Sequence, residues 1–452
     1  MLKDDPMKNI KLSLWGVLIG LTGLWLLTDT FIPEPFVLGK IRHVWVLYSG
    51  VIGISIMSIA MILATRQRWQ EPFLGGLDKS YRLHKWLGIS GLVIAIVHWG
   101  WAKGFKYAVW FGFLERPARR GRAPGGDELN MFEQLFRSLH GPAEFVGEWA
   151  LYAVVILILL ALIKLFPYRI FAKTHYLIAI VYLVLVFHST ILMEKTYWLQ
   201  PIGLIVGLLM LAGTVSAIMV LSNMVGRNNK VEGTIESLNH FQSMQVLETV
   251  VKLNGNWKGH KAGQFAFVTH DSKEGAHPYT ICSAWDEKDK RITFITKALG
   301  DYTKHLPEAL KIGQHVLIEG PYGQFTFNDN YKRQIWVGGG IGITPFIARM
   351  KQLALQQGDQ IVDLIHTTNE LEQDAAEKLN ADVMASGVNL YLMIDNKDGL
   401  LTGERLRKMV PDWHSASIWF CGPASFGREL KKDLIANGLQ AKNFHQELFE
   451  MR

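Results

Sequence analysis

Four histidines lie inside otherwise apolar stretches of this 452-residue chain. Two share the run LHKWLGISGLVIAIVHWG, as His84 and His98; the other two, His175 and His188, share KTHYLIAIVYLVLVFHS. An ionisable side chain at membrane depth is costly and needs a partner or a function. On a helix the first pair lies ~21 Å apart along the axis, facing within ~40° of each other. The second pair lies ~20 Å apart but ~140° out of phase, so that helix must distort locally or its two side chains must serve laterally offset targets.

Running in the same direction, the two helices place His84 with His175 at one level and His98 with His188 at another. One histidine from each helix at each level is what bis-histidine ligation of two stacked haems requires, and two strong axial ligands leave no open position on the iron. The competing roles for single membrane histidines are helix-to-helix hydrogen bonding and proton relay. Zinc is excluded, because four ligands split across ~20 Å cannot close one tetrahedron. His43 and His140 lack such pairing and read as polar or interfacial residues.

The elements that must carry these histidines are membrane spans. Six apolar runs, at 11–32, 44–64, 83–101, 146–165, 174–192 and 199–222, are each long enough for a ~30 Å hydrocarbon core. Arg66, Arg68, Lys79, Arg82 and Lys85 follow the second run, and Lys164, Arg169 and Lys173 follow the fourth, whereas only Lys195 follows the fifth. The positive-inside rule then makes both termini cytoplasmic. The loop 102–145 opposes this with Arg116, Arg119, Arg120 and Arg122, but long translocated loops weigh less. Within it, Leu129, Phe132, Phe136 and Leu139 fall on one face of a short amphipathic helix, suited either to the outer membrane surface or to a solvated loop. No cleavable signal is expected, since the first run is long and lacks a small-residue cleavage site.

The net charge of +7 collects around these runs, which points to lipid head groups rather than nucleic acid. The two cysteines, Cys282 and Cys421, provide neither metal-site spacing nor a disulfide framework. From 229 the pattern changes. Residues 229–328 alternate short β-type runs with turns, the rhythm of an antiparallel barrel. Residues 329–452 alternate strand, loop and helix, which predicts a parallel Rossmann-like sheet. The fold class expected is an all-α six-helix transmembrane haem-binding bundle (1–228), an antiparallel β-barrel domain (229–328) and an α/β nucleotide-binding domain (329–452).

HPYTICSA, KALGDYTKHL, GPYGQF, VGGGIGITPF and CGPASF follow one another in the soluble half. In this order, and with the paired histidines, they resemble the NADPH oxidase and ferric reductase family, whose membrane core carries a ferredoxin–NADP reductase-type dehydrogenase. The resemblance implies that His277, Pro278, Tyr279, Thr280 and Ser283 bind FAD. Tyr279 would lie against the isoalloxazine, Thr280 near N5, and His277 near the ribityl-phosphate. It also implies that Lys297, Gly300 and Thr303 serve the cofactors; the amides after Gly300 would cradle the pyrophosphate. Gly339, Gly340 and Gly342, with neighbouring Gly338, would admit the nicotinamide nucleotide's phosphates to a helix N-terminus. Thr344, Pro345, Cys421, Gly422 and Pro423 match the nicotinamide side, and Phe449 matches the flavin-covering aromatic. Taken singly, several of these motifs read equally well as turns, caps or core residues.

Two departures accompany the resemblance. The region after the second strand of the nucleotide domain reads HTTNE, with no basic residue for a 2′-phosphate; Thr367, Thr368, Asn369 and Arg405 are the nearby substitutes. EMR extends past Phe449.

The expected activity is transmembrane electron transfer from cytoplasmic NADPH or NADH, through FAD and two b-type haems held by His84/His175 and His98/His188, to O2 or a ferric chelate. Thr280 and Cys421 would face the reacting groups. Arg42 would either draw an anionic acceptor or snorkel at the interface. The alternatives are a haem-bearing relay subunit that reduces a quinone or partner protein, and a six-span transporter with a nucleotide-binding regulatory domain. No EF-hand-like loop or docking segment is evident, so constitutive activity with no obligate protein partner is expected.

Overall fold

The computed structural model describes residues 6–115, 130–163, 168–356 and 358–447. It divides into two compact units: a helical one of Ile10–Arg66 and Tyr81–Val225, and a mixed α/β one containing Gln67–Ser80 and Gly226 onward.

The helical unit contains most of α1 (Pro6–Leu26), α2 (Leu38–Ala64), most of α4 (Leu77–Trp110), α5 (Met131–Leu162), α6 (Tyr168–Leu192) and α7 (Pro201–Leu221); the short α3 (Glu71–Leu74) belongs to the other unit. Among the described residues, α2, α4, α5, α6 and α7 are long and apolar enough to cross a membrane, while α1 contributes a shorter apolar stretch, Ile10–Leu26. The chain is therefore a membrane protein with at least these five candidate spans.

Two of the expected runs grow into longer helices. The run 83–101 lies inside the 34-residue α4, and 146–165 lies largely inside the 32-residue α5. The separate amphipathic helix expected before 146 is the first part of α5. Asn130 caps that helix: its side chain accepts from the Glu133 amide, and Glu133 reaches back to the Asn130 amide. Such a reciprocal cap fixes a helix start more strongly than hydropathy does. Leu129 and Arg116, Arg119, Arg120 and Arg122 lie outside the described residues.

α2 is the most enclosed span, with over half of its apolar window buried. It packs on α6 and α7. Tyr182 of α6 shares a 2.8 Å hydrogen bond with Ser58 of α2. Gly213 of α7 makes room for that phenol, since a Cβ there would stand 2.1 Å from the Tyr182 oxygen. Leu204, Leu208, Leu211, Val215 and Ile218 form the opposite, exposed stripe of α7 at spacings of three and four. In a bilayer such a stripe meets acyl chains at no cost.

In the other unit, β1 (Lys230–Phe241), β2 (Val246–Leu253), β3 (Phe265–Thr269), β4 (His277–Thr280), β5 (Arg291–Lys297) and β6 (His315–Tyr322) form one antiparallel sheet, ordered β4-β3-β6-β1-β2-β5. Ile281 bridges Phe294 of β5, linking the sheet's two edges into the expected barrel. Its interior is filled by Ile235, Val251, Val268, Ile292 and Ile318, among others. α8 (Asp301–Ala309) follows β5.

The second sheet is wholly parallel, ordered β11-β10-β7-β8-β9: β7 (Arg333–Gly339), β8 (Ile361–Thr368), β9 (Asn389–Ile394), β10 (Ala416–Cys421) and β11 (Phe444–Gln446). Its helices are α9 (Thr344–Leu355), α10 (Gln373–Ser386), α11 (Asp395–Asp398), α12 (Gly403–Met409) and α13 (Ala424–Ala436). β10 is buried along its whole length, as expected of a central strand covered on both faces. The chain first winds outward through β8 and β9, then returns to the other side of β7 at β10. The switch point therefore falls between β7 and β10, where open α/β sheets bind their ligands.

Candidate functional site

Within the helical unit the four histidines meet in the expected pairs. The ring centroids of His84 and His175 are 5.8 Å apart, and those of His98 and His188 are 6.3 Å apart. Imidazole–metal bonds of about 2 Å on each side fill such a gap with one metal atom. The ring planes cross at 67° and 87°.

Backbone carbonyls hold three of the four rings. His84 Nδ1 lies 2.9 Å from the Ala60 oxygen, His98 Nδ1 lies 3.1 Å from the Val46 oxygen, and His188 Nδ1 lies 2.8 Å from the Ala143 oxygen. A carbonyl can only accept, so each of these Nδ1 atoms carries the proton and Nε2 is left as the lone-pair donor. A hydrogen bond from the other ring nitrogen accompanies most metal-bound histidines. Ser49 Oγ stands 3.1 Å from His98 Nδ1 as well. His175 differs: its Nδ1 has no hydrogen-bond partner among the described residues, and its ring stacks on Phe171 at 5.1 Å.

Two features of α5 position the His188 ring. The Ala143 carbonyl of α5 draws the His188 ring, and Gly147, one turn further on, leaves the volume it occupies. Ring position is thus set by the neighbours' carbonyls and gaps as well as by the residue's angle on its own helix. Neither device is visible in sequence: a carbonyl belongs to every residue, and Gly147 is one of 42 glycines.

Arg42 is committed to structure. Its Nε and Nη2 donate to the Trp101 and Ala102 carbonyls at 3.0 and 2.7 Å, tying α2 to α4 beside the stacked pair Trp45–Trp101. His43 and His140 are exposed beside Glu194 and Glu144.

In the barrel, β4 sets out the HPYT residues in register with β3, pairing Thr280 with Phe265 and Pro278 with Phe267. His277 lies flat on Tyr302 of α8, with centroids 4.3 Å apart and planes 13° apart. The Tyr302 hydroxyl is 3.3 Å from His270 Nδ1. Burial pushes His270 down to about 4 and lowers His277, so both rings are neutral near pH 7. Tyr302 and His270 were not singled out by sequence, although Tyr302 lies within the LGDYTKHL motif.

Ser283 has a structural role. Its hydroxyl accepts from the Thr293 amide, and its carbonyl accepts from His260 Nε2. Thr303 Oγ1 accepts from the Leu299 and Gly300 amides, both at 3.0 Å. It therefore organises the turn before α8, leaving the helix's own first-turn amides as donors for an anion. Lys297 ends β5, opposite Val246.

At the switch point of the parallel sheet two glycine turns touch. A Cβ on Gly342 would lie 2.1 Å from the Cys421 carbonyl oxygen, and one on Gly339 would lie 3.0 Å from Pro423 Cδ. Gly422 faces Gly339 in the same way, and Gly340 has φ +56°. Only glycines permit this approach of β7 and β10. Thr344 and Pro345 are buried in the first turn of α9.

Cys421 is fully buried at the end of β10, and burial raises its thiol well above the usual range. Glu447, just past β11, lies close enough to add to that shift. It is itself buried, with Oε2 lacking a hydrogen-bond partner among the described residues, and desolvation pushes its carboxyl up to about 8. Sequence reading missed this neutral carboxylic acid. Phe449 lies outside the described residues.

The segment Gln67–Ser80 packs within this same unit. Glu71 Oε2 accepts from the Gly323 amide in GPYGQF at 2.7 Å, and Lys79 Nζ pairs with Asp78 at 2.9 Å.

Comparison with known proteins agrees with this architecture. Residues 49–186 match the ferric reductase like transmembrane component, and residues 235–326 match an FAD-binding domain. The chain is a ferric-reductase-type membrane component fused to a flavin-binding domain. The first match contains all but two residues of the helix stretch from His84 to His188, and the second runs from β1 past β6.

Among curated relatives, the fusion is 28% identical over 154 residues to flavohemoprotein A of Dictyostelium discoideum, covering 33% of this chain and 39% of that protein. It is 24% identical over 196 residues to the toluate 1,2-dioxygenase electron transfer component of Pseudomonas putida, covering 41% and 58%. The chain thus spans less than two thirds of either relative. Among solved structures, the FAD/NAD binding domain of nitric oxide dioxygenase from Vibrio cholerae aligns with a TM-score of 0.42 at 18% identity, covering 48% of this chain and 98% of that one.

Proposed function

We propose that the fusion is an oxidoreductase that moves electrons from cytoplasmic NAD(P)H across the membrane to an extracytoplasmic acceptor, either O2 or a ferric chelate. The observation that carries this reading is the pair of imidazole gaps of 5.8 and 6.3 Å on α4 and α6, within a chain that also matches an FAD-binding domain.

The residues fit the groups they would hold. His84 with His175, and His98 with His188, would each hold one haem iron through Nε2, with the carbonyls of Ala60, Val46 and Ala143 fixing three of the tautomers. Both axial positions would be protein ligands, which suits outer-sphere transfer rather than binding of an acceptor at iron. β4 and the turn before α8 would hold FAD, with Thr280 on the reacting side. The glycine turns after β7 and β10 would seat the nicotinamide nucleotide, with Cys421 next to its reacting end. When bound, these cofactors supply the redox chemistry, converting two-electron input to single-electron transfer; the chain supplies position, tautomer and exclusion of water.

The lysines and arginines flanking the apolar runs support an orientation in which six spans leave both termini and the dehydrogenase on the cytoplasmic side. The domain limits proposed are 1–228, 229–328 and 329–452, with Gln67–Ser80 folding with the last two.

The test is a reduced-minus-oxidised spectrum of purified wild type beside His98→Ala and His175→Ala. Each variant should lose about half of the b-type haem signal, and NAD(P)H-driven acceptor reduction should fall with it. An unchanged haem signal in both variants overturns the ligand assignment. Turnover strictly dependent on an added quinone or protein would favour a relay subunit over an oxidase or chelate reductase.

A further inference from the structure

The linker between α2 and α4 faces two ways. α2 ends at Ala64 and α4 starts at Leu77, and both are long and apolar enough to cross a membrane. Between them a short turn of helix, Arg68–Gln70, runs straight into α3, since Gln70 keeps right-handed helical angles. One side of this stretch faces inward. Gln70 and Glu71 are buried, and Glu71 accepts from the Gly323 amide at 2.7 Å. Further along, Asp78, Lys79 and Ser80 are buried too.

The other side carries Trp69 and Phe73, whose spacing of four puts them one above the other on a shared helical face. They are 62% and 75% exposed, and Pro72 beside them is exposed as well. Adjacent large aromatics with this much open surface mark a place of contact. The charged residues of 67–80 are Arg68, Glu71, Asp78 and Lys79. Both carboxylates and the lysine are buried, which leaves Arg68 as the exposed charge of the segment. Tryptophan is enriched where a bilayer meets water, and a guanidinium pairs with phosphate. An aromatic pair with an exposed arginine and no exposed carboxylate is therefore complementary to phospholipid head groups.

Chain reach argues for lipid over a soluble partner. Trp69 is five residues past the end of α2, and Phe73 is four before the start of α4. Extended chain spans at most about 17 Å and about 14 Å over those intervals. Tethered at both ends to membrane-crossing helices, the pair stays near the surface from which those helices emerge.

We propose that Trp69 and Phe73 are an interfacial anchor, inserted among the lipid head groups with Arg68 on lipid phosphate. Residues 67–80 fold with the mixed α/β unit, so the anchor ties that unit to the bilayer surface. The proposal rests on α2 and α4 crossing the membrane and on none of the cofactor assignments.

The test uses the full-length protein in nanodiscs of phosphatidylcholine and phosphatidylglycerol, which leave both membrane faces open to the buffer. Trp69→Cys and Phe73→Cys, made singly, are labelled with a small environment-sensitive fluorophore. The native Cys282 and Cys421 are fully buried and stay unlabelled. Met384→Cys, at a position 86% exposed on α10, is the water-facing reference. Iodide should quench the labels at 69 and 73 about threefold less than the label at 384, and nitroxide-bearing lipids should quench the first two and spare the third. Adding Phe73→Asp to the labelled Trp69→Cys protein should return iodide quenching to the reference level. Equal iodide quenching at all three positions overturns the proposal. Shielding from iodide without nitroxide quenching also overturns it, because a second copy or another protein would then cover the pair. Quenching unchanged by Phe73→Asp overturns it too, since the label alone would be holding the site in lipid. Both replaced side chains are exposed, and the two label positions report independently.

Discussion

Gly147 stands directly against His188: a Cβ at residue 147 would lie 2.0 Å from the imidazole Nδ1. The same nitrogen lies 2.8 Å from the Ala143 carbonyl oxygen one helical turn earlier. α5 therefore supplies both the anchor and the space for a side chain on α6. Replacing Gly147 by Ala should displace His188 and remove the haem proposed for the His98/His188 level, leaving the His84/His175 level intact. The expected readout is loss of about half of the b-type haem per protein, since the overlap is too close for side-chain give alone. An unaltered haem content in Gly147→Ala would show that His188 is not an axial ligand in this position.

The glycine turn between β7 and α9 offers a matching experiment in the other unit. Gly342→Ala would drive a methyl group into the Cys421 carbonyl oxygen at 2.1 Å. β7 and β10 must part to accommodate it, widening the switch-point crevice. Flavin content and haem spectrum should be retained, while reduction by nicotinamide nucleotide should fall by about 10²-fold, as a displacement of ~1 Å typically produces. Equal loss of bound flavin would instead mean that the whole dehydrogenase had lost its fold.

Glu447 carries a sign that can be measured. Its carboxyl titrates at about 8 in the folded chain against an ordinary 4.5, because burial penalises the charged form and Asp78 adds repulsion. The folded state holds a proton that the unfolded chain releases. Stability from this group is complete below pH ~4.5, falls as pH rises through the window up to about 8, and is level above it. Glu447→Gln keeps a neutral side chain and should therefore be less sensitive to pH in that window. Thermal unfolding of both proteins at pH 5 and pH 8 should show the variant gaining on wild type at the higher value. Parallel pH dependence in the two proteins would show that Glu447 is not the titrating group.

Glu71 accepts from the Gly323 amide and is itself buried, which raises its carboxyl above the ordinary range. Glu71→Ala leaves a buried N–H without its partner and should cost about 1–3 kcal/mol. Glu71→Gln retains an acceptor oxygen and should cost less. The difference should appear in thermal unfolding and in faster proteolytic cleavage within 67–80.

Much of this was legible in one dimension because its physics is local. Apolar runs of bilayer length, histidines 14 and 13 residues apart, and glycine turns between strand-like and helix-like stretches all appear as residue types at fixed spacing. Those features were enough to pair His84 with His175 and His98 with His188. They also located the parallel sheet and its phosphate-side turns. Helix ends were less legible, since α5 begins at a side-chain cap on Asn130 that hydropathy does not register.

What only the tertiary structure decided depends on groups remote in sequence. The aim of His188 is set by a carbonyl and a missing Cβ on α5. Arg42 is occupied by two carbonyls of α4, and Glu447 is neutral because the fold removes it from water. Residue type and spacing fix which side chains can do chemistry and at what depth. Backbone atoms, absent atoms and burial fix where those side chains point and which protons they hold, and these exist only once distant segments pack together.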